Sequence, residues 1–297
     1  MRDTKIQWHP GFVAAMDLEL SKNRHDLIFE KEYNLNTKPL EIDLLIVRKN
    51  TDIPIDNEIG HMFRGHNIIE YKAPADHLNI DTFYKATAYA CLYKASGPAA
   101  NAIRADDVTV SLVRAYRPAR LFQYFKEQHY TVSHPYHGVY YILGNILFPT
   151  QIIVTEELEP GTHIWLRSLS ENMGKQDLAA LLRNMEGLTG DHDRELADSV
   201  LEVTIQANKQ LIELLKGDDD MGETLLKIME PQLLLIKKQG IEEGRKEGQK
   251  EGRKEGRREG IQGTVDVLRE LHYGDADIRA LIKKKYGLTD ADTDEYL

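Results

Sequence analysis

The sequence predicts an α/β fold, in which helices flank a mixed central sheet and an α-helical extension follows at the C-terminus. Two observations indicate this class. Segments of helical and strand periodicity follow in the order helix, three strands, helix and strand over residues 10–115, an order typical of α/β domains. From about residue 174 onward, the apolar residues recur mainly at helical spacing.

The composition is that of a globular chain with a sizeable core. Hydrophobic residues make up 41% of the 297 residues and charged residues 29%. No apolar stretch approaches the ~20 residues that a membrane helix needs, and the first residues lack a secretory pattern. Cys91 is the single cysteine, so neither an internal disulfide nor a thiolate zinc cluster can form. We therefore expect a cytoplasmic protein without a membrane partner.

The net charge restricts how the chain could bind nucleic acid. The formal charge is −10 at pH 7, whereas affinity for a phosphate backbone comes mainly from Lys and Arg. Any such binding must therefore depend on a local basic patch or on a bound cation.

The N-terminal third contains the first helix and three strands. Residues 10–22 have apolar side chains at helical spacing. The strands are predicted at residues 27–35, 40–48 and 67–73, which are rich in strand formers. In the second strand we expect the apolar row to occupy one face and Asp43 the other; this row is Ile42, Leu44 and Ile46.

The central third is predicted to continue the sheet. Residues 79–95 form an amphipathic helix, residues 108–115 a strand, and residues 137–158 two or three short strands with a turn near Gly144. The predicted apolar stripe of the helix at residues 79–95 consists of Ile80, Phe83, Tyr84, Thr87, Cys91 and Leu92.

The chain is predicted to have four parts: residues 1–170, 171–239, 240–263 and 264–297. The first is the α/β core, the second a helical extension with a kink at Pro231, and the last a pair of short helices. Residues 243–260 form a four-residue repeat, EGRKEGQKEGRKEGRREG. Its ion pairs favour a helix and its glycines oppose one. A charged spacer is one interpretation, and an arm for self-association or nucleic-acid binding is the other.

The candidate chemistry lies on the second and third strands. Glu70 and Lys72 are two residues apart, so both project from the same face of their strand. Asp43 interrupts a strongly apolar strand, where a charge is costly without a partner. If the two strands pair in a suitable register, Asp43 and Glu70 converge, and two close carboxylates need a cation or a proton between them. Magnesium suits such oxygen ligands. The alternative is an ordinary solvated strand face, because exposed strands often alternate opposite charges.

These residues carry a resemblance to a known superfamily. Asp43 in LEIDLLIV, Glu70-x-Lys72 in NIIEYK and the helix that begins near Asn79 resemble the PD-(D/E)xK nucleases. The segments THIWLRSLS, MGETLLKIMEPQ and EEGRKEGQKEG are similar to the Rpn branch, the recombination-promoting nucleases or putative transposases. The likeness covers nearly the whole chain. It departs at Ile42, where the superfamily motif has a proline.

The resemblance implies roles for individual residues. Asp43 and Glu70 would bind the metal together with the carbonyl oxygen of Tyr71, and Lys72 would position water or stabilise negative charge. Glu19 is the counterpart of a catalytic glutamate on the first helix, with Asp17 as the alternative, and a solvated helix face is equally open for both. The predicted nucleic-acid contacts are Lys85, Tyr84 and Arg114; Tyr84 also fits a core position, and Arg114 a solvated or paired one.

The function implied is a magnesium-dependent DNA endonuclease that hydrolyses phosphodiester bonds and is associated with recombination or mobile elements. Manganese is the alternative metal, and RNA is an alternative substrate. A hypothesis from another class is an inactive nuclease-like scaffold, which acts as an interaction protein and self-associates, as a homo-oligomer, through its C-terminal helices.

Overall fold

The computed structural model describes residues 6–34, 41–50, 52–215 and 220–297. They belong to two compact units. The first extends to Leu233 and contains the sheet, and the second comprises Leu234–Leu297. The α/β class with a helical C-terminal region is confirmed. The helical residues 171–233, predicted as a separate extension, belong to the same compact unit as the sheet.

One mixed sheet of seven strands organises the first unit. The strands are β1 Leu27–Asn34, β2 Glu41–Arg48, β3 His66–Lys72, β4 Val108–Arg114, β5 Thr131–Tyr136, β6 Val139–Leu143 and β7 Thr150–Val154. Their spatial order is β1-β2-β3-β4-β7-β6-β5. The centre, β3-β4-β7, is parallel, and both flanking pairs of strands are antiparallel. The parallel centre brings the carboxyl ends of β3, β4 and β7 to one edge of the sheet.

Helices cover the sheet and form most of the chain after β7. Their bounds are α1 Trp8–Glu19, α2 Ile80–Ala95, α3 Ala119–Glu127, α4 Ile164–Arg167, α5 Lys175–Glu186, α6 Asp191–Ala207, α7 Lys209–Leu215, α8 Asp220–Glu270, α9 Asp275–Tyr286 and α10 Asp290–Thr293. Pro231 lies inside α8. The 51-residue helix α8 continues through the charged repeat.

The two faces of β3 contact different helices. Ile68 packs with Phe83 of α2 and Phe125 of α3 in one core cluster. Tyr71, three residues on, points to the other face and stacks on Phe12 of α1 with ring centroids 4.3 Å apart. The sheet therefore holds α1 and α2 on opposite sides of the strand that carries Glu70 and Lys72.

The buried face of α2 differs from the predicted stripe. Cys91 is exposed, and Leu92, Tyr84 and Ile80 are 45%, 50% and 36% exposed. The fully buried positions include two alanines, and the buried set is Thr82, Phe83, Ala86, Tyr89, Ala90 and Tyr93. Small residues against the sheet let the helix approach it closely, and Tyr89 and Tyr93 belong to the same buried cluster.

The β2 strand also departs from simple alternation. Ile42 and Leu45 belong to the same core cluster, so the side-chain alternation shifts between these two positions. Leu44 and Ile46 are buried as well. The sequence pattern predicted that Asp43 points to the face opposite Ile42 and Leu44. Because Asp43 lies where the alternation shifts, its side chain is not restricted to that face.

The second unit contains a small core and a long exposed helical stretch. Ile261 and Val265 of α8 pack against Ile278 and Ile282 of α9. Before this core, residues 244–246 and 248–260 of the repeat are exposed. The repeat is thus a solvated helix, and the two short helices predicted around Gly274 correspond to the end of α8 and to α9.

Candidate active site

Asp43 and Glu70 come from adjacent antiparallel strands; we call them the acidic pair. Leu44 pairs with Ile69, so Asp43 and Glu70 are the next residues along β2 and β3. Asp43 Oδ2 accepts a hydrogen bond of 2.8 Å from the backbone N–H of Tyr71. The Asp43 carboxylate is thereby fixed against the backbone of the residue that follows Glu70.

Glu70 is a buried carboxylate with two cationic partners. Its side chain is only 2% exposed, and Oε1 lies 2.8 Å from Lys72 Nζ and 3.3 Å from Lys85 Nζ. A buried charge without partners is strongly unfavourable, and here two ammonium groups compensate one carboxylate. Glu70 and Lys72 therefore do not form the solvated strand face that was the alternative interpretation.

Lys85 reaches Glu70 from α2, on the face opposite α1. Burial lowers the pKa of Lys85, but the charge of Glu70 and a hydrogen bond with Tyr89 outweigh that effect and raise the pKa above its usual value. Nζ also lies 5.0 Å from the centroid of the Tyr89 ring. The sequence prediction gave Lys85 a nucleic-acid contact; the structure places it on Glu70.

His9 on α1 is a neighbour that the sequence analysis did not identify. Its Nε2 lies 3.7 Å from Asp43 Oδ2, and this carboxylate is the main cause of a raised pKa for His9. The imidazole also meets the Tyr71 ring edge-on, with centroids 5.6 Å apart. His9 and Asp43 line a cavity of about 380 Å³. Only the packing of α1 on the sheet brings His9 here, so local spacing gave no signal for it.

Tyr71 lies between Glu70 and Lys72 on β3. Its ring is 1% exposed, and burial raises the pKa of its phenol. The hydroxyl has no hydrogen-bond partner among the described residues. The side chain is therefore part of the core against Phe12, and the predicted metal contact of Tyr71 involves its backbone carbonyl alone.

The structure places Glu19 away from the acidic pair. Glu19 and His9 occupy opposite ends of α1, about 15 Å apart at the rise of an α-helix, and His9 is the end near Asp43. The Glu19 side chain, 1% exposed, lies 3.0 Å from Nδ1 of His163. Asp17, the alternative, forms an ion pair of 2.5 Å with Arg24. Neither residue joins the acidic pair, because Arg24 holds the Asp17 side chain and the distant His163 holds that of Glu19.

His163 links three elements inside the first unit. Nδ1 lies 3.0 Å from Glu19 and Nε2 3.4 Å from Glu58, and the imidazole is 0% exposed. The backbone N–H of Leu166 and the side chain of Asn57 also donate to the Glu19 carboxylate. Burial lowers the pKa of His163, but the two glutamates outweigh it and raise the pKa above 6.5. This arrangement joins α1, the turn at 58–62 and α4.

Arg114 and Tyr84, the other two predicted nucleic-acid contacts, lie in different surroundings. Arg114 is the register partner of Lys72 across the parallel strands β3 and β4, and its Nε donates to the carbonyl oxygen of Asp76. Tyr84 is half exposed and hydrogen-bonds through its hydroxyl to Tyr124. Arg114 thus adds a second cationic side chain beside Lys72, whereas Tyr84 belongs to the exposed side of α2.

A further finding concerns side chains that could bind a metal ion. Among the residues that the structure describes, no three His, Cys, Asp or Glu side chains are grouped so that they could hold a metal ion. A metal on the acidic pair would therefore need backbone or water oxygens as its remaining ligands.

No described helix is both long enough and apolar enough to span a membrane.

Comparison of the chain with protein-family models, with curated proteins and with solved structures finds no match in any of the three.

Proposed function

We propose that the chain is a magnesium-dependent DNA endonuclease that hydrolyses phosphodiester bonds, in recombination or in mobile elements. The observation that carries the proposal is the buried Glu70 carboxylate, which Lys72 contacts at 2.8 Å beside Asp43 of the adjacent strand. Both desolvation and the repulsion of a nearby acid oppose the burial of a carboxylate, so Glu70 depends on its cationic partners. Buried charged groups that have a specific charged partner are candidates for functional sites.

The residues fit a hard divalent cation. Two carboxylates from adjacent strands, with the Tyr71 carbonyl as a third oxygen, are the kind of ligands that magnesium takes, and its remaining positions are usually filled by water. The ammonium of Lys85, 3.3 Å from Glu70, stands in for a cation at this carboxylate. Bound there, magnesium or manganese would supply Lewis acidity that activates water and neutralises phosphate charge.

The chain's own residues supply the remaining chemistry. The Tyr71 N–H fixes the Asp43 carboxylate, so that its second oxygen can be directed toward a ligand. Lys72, held at Glu70, can position the attacking water or stabilise negative charge that develops on the phosphate. Arg114 lies one strand away, in register with Lys72, where it can contact a neighbouring phosphate.

Cleavage of supercoiled plasmid DNA tests this proposal. We expect the wild-type chain to nick or linearise the plasmid with magnesium and to stop when the metal is chelated. Asp43→Asn keeps an oxygen for the Tyr71 N–H, and Lys72→Ala removes the ammonium; each should lower the rate by roughly 10²-fold or more.

Matched variants make this test specific. Asp81→Asn on α2 and Lys126→Ala on α3 change exposed side chains of the same types and should leave the rate unchanged. A rate that is the same in Asp43→Asn as in the wild type would contradict the proposal. A structured RNA in place of the plasmid decides between the two substrates.

The second candidate function is an inactive scaffold that self-associates through its C-terminal helices. It is favoured by the exposed repeat and by apolar residues of α8 that face solvent, since Leu234, Leu235 and Ile241 are 52%, 49% and 64% exposed. Deleting residues 240–263 should abolish self-association in that case, and Asp43→Asn should have no effect. Sedimentation of both variants beside the plasmid assay distinguishes the two functions.

A further inference from the structure

One oxygen of the Glu70 carboxylate contacts two ammonium groups, which belong to different secondary-structure elements. Lys72 comes from β3 and Lys85 from α2, and both approach Glu70 Oε1, at 2.8 and 3.3 Å. The charge of Glu70 is thus compensated by protein side chains in the absence of a bound ion. A divalent cation that uses Glu70 must enter a place where positive charge already lies, and like charges that approach closely repel each other.

We propose that Lys85 competes with the divalent cation for Glu70 and thereby sets the affinity of the site for metal. This inference rests on the proposed function and goes beyond it, because it assigns Lys85 to control of metal occupancy rather than to contact with nucleic acid.

The two lysines differ in how easily each can leave Glu70. Lys72 makes the shorter contact and is 19% exposed, whereas Lys85 makes the longer one and is 50% exposed. A half-exposed ammonium regains its hydration at little cost, and a half-exposed ion pair is weak. Lys85 is therefore the partner that a metal displaces, and Lys72 stays beside the acidic pair.

Lys85 contacts a second partner in the position that it occupies beside Glu70. The face of the Tyr89 ring lies 5.0 Å from Nζ, within the range of a cation–π interaction, and Tyr89 is itself buried at 5% exposure. Lys85 and Tyr89 are four residues apart on α2, so they share one face of the helix. The Lys85 ammonium therefore does not depend on Glu70 alone, which lowers the cost of losing the contact with that carboxylate.

Metal affinity measured on purified full-length chains tests the inference, with Mn²⁺ as the probe in titrations followed by electron paramagnetic resonance. Lys85→Met keeps the length of the side chain and removes its charge. We expect Lys85→Met to bind Mn²⁺ roughly three- to tenfold more tightly than the wild type. Lys126→Met, which removes an exposed charge from α3, should bind as the wild type does, apart from a small change from net charge.

The outcomes separate this inference from the proposed function. Equal or weaker Mn²⁺ binding by Lys85→Met, with normal binding by the wild type, overturns the competition alone. Wild-type binding that is absent, or that Asp43→Asn leaves unchanged, overturns the proposed function as well.

A measurement on the wild type keeps the inference testable if Lys85→Met does not fold. Acetylation of lysines, read by mass spectrometry, should become faster at Lys85 when Mg²⁺ is added, with Lys126 as the internal reference. An unchanged labelling ratio would show that Lys85 does not leave Glu70 and would overturn the inference.

Discussion

At the scale of single residues, buried charge is the property that organises this molecule. Glu70, Glu19 and His163 all lie in the interior, and each has an oppositely charged partner within 3.4 Å. Removing one partner of such a pair leaves a charge that is both desolvated and uncompensated, which costs far more than an exposed pair contributes. We therefore expect single substitutions at these positions to have large and distinct effects.

His163→Gln should lower stability and change how it depends on pH. The raised pKa means that protonated His163 stabilises the fold fully below about pH 6.5, and this contribution is lost as pH rises through the folded-state pKa. At pH 6 we expect the variant to lose about 2 kcal/mol of unfolding free energy, the scale of a hydrogen bond to a charged group. The loss should shrink toward pH 9. Urea unfolding at several pH values measures both quantities.

The variant also provides a check on the position of Glu19. If His163→Gln showed the same loss at pH 6 and pH 9, the ion pairs of His163 with Glu19 and Glu58 would not exist as described. His192→Gln is a suitable control, because His192 is 61% exposed and lies 3.8 Å from Asp17; it should cost little at any pH.

At the scale of elements, sequence patterns predicted the interior strands and missed an edge strand. The strands β2, β3 and β4 are rich in Val, Ile and Leu, so their segments were predicted within one residue of their ends. Strand β5 contains His134 and Pro135 and lies at the edge of the sheet. No residue of β5 is buried, so it lacks the apolar alternation that marks a strand.

The repeat in α8 supports a prediction about helix stability. A Cβ added at Gly244, Gly248, Gly252 or Gly256 would meet no heavy atom within 4 Å among the described residues, apart from its chain neighbours and the nearby helix backbone. Changing all four to alanine should therefore favour the helix by roughly 1 kcal/mol at each position. We expect circular dichroism to show more helix retained on heating.

The same variant discriminates between the two interpretations of the repeat. For a solvated spacer, sedimentation should give the same mass for the variant as for the wild type. An oligomer that dissociates on this change would mean that the glycines contact another chain closely, and would favour the self-associating scaffold over the spacer.

At the scale of the whole molecule, the acidic pair depends on contacts between segments far apart in sequence. The strand pattern was sufficient to predict that Asp43, Glu70 and Lys72 lie on neighbouring strands, and β2 and β3 do pair with each other. It could not predict His9, or the contact of Lys85 with Glu70, because these depend on how α1 and α2 pack on opposite faces. Glu19 was misplaced for the same reason, since its partner His163 is 144 residues away.

The net charge of −10 leads to a prediction about how the affinity for DNA depends on salt concentration. If DNA meets only the cations near the acidic pair, few counterions are released on binding. We expect the logarithm of the association constant for DNA to fall with the logarithm of the salt concentration, with a slope between about −1 and −3. Arg114→Ala should make that slope shallower by about 1. Fluorescence anisotropy in an Asp43→Asn background measures this without cleavage. Exposed Arg183 of α5 is the control position, and a slope steeper than about −6 would place the DNA on another surface.

The most direct test of the central claim is the location of a bound metal. Crystals grown with Mn²⁺ and measured near its absorption edge would locate the ion by its anomalous scattering. We predict a peak about 2.1–2.3 Å from one carboxylate oxygen of Asp43 and one of Glu70, with Lys85 moved away from Glu70. An ion bound elsewhere would contradict the account. So would a crystal saturated with Mn²⁺ in which Asp43 and Glu70 keep the contacts that they make without metal.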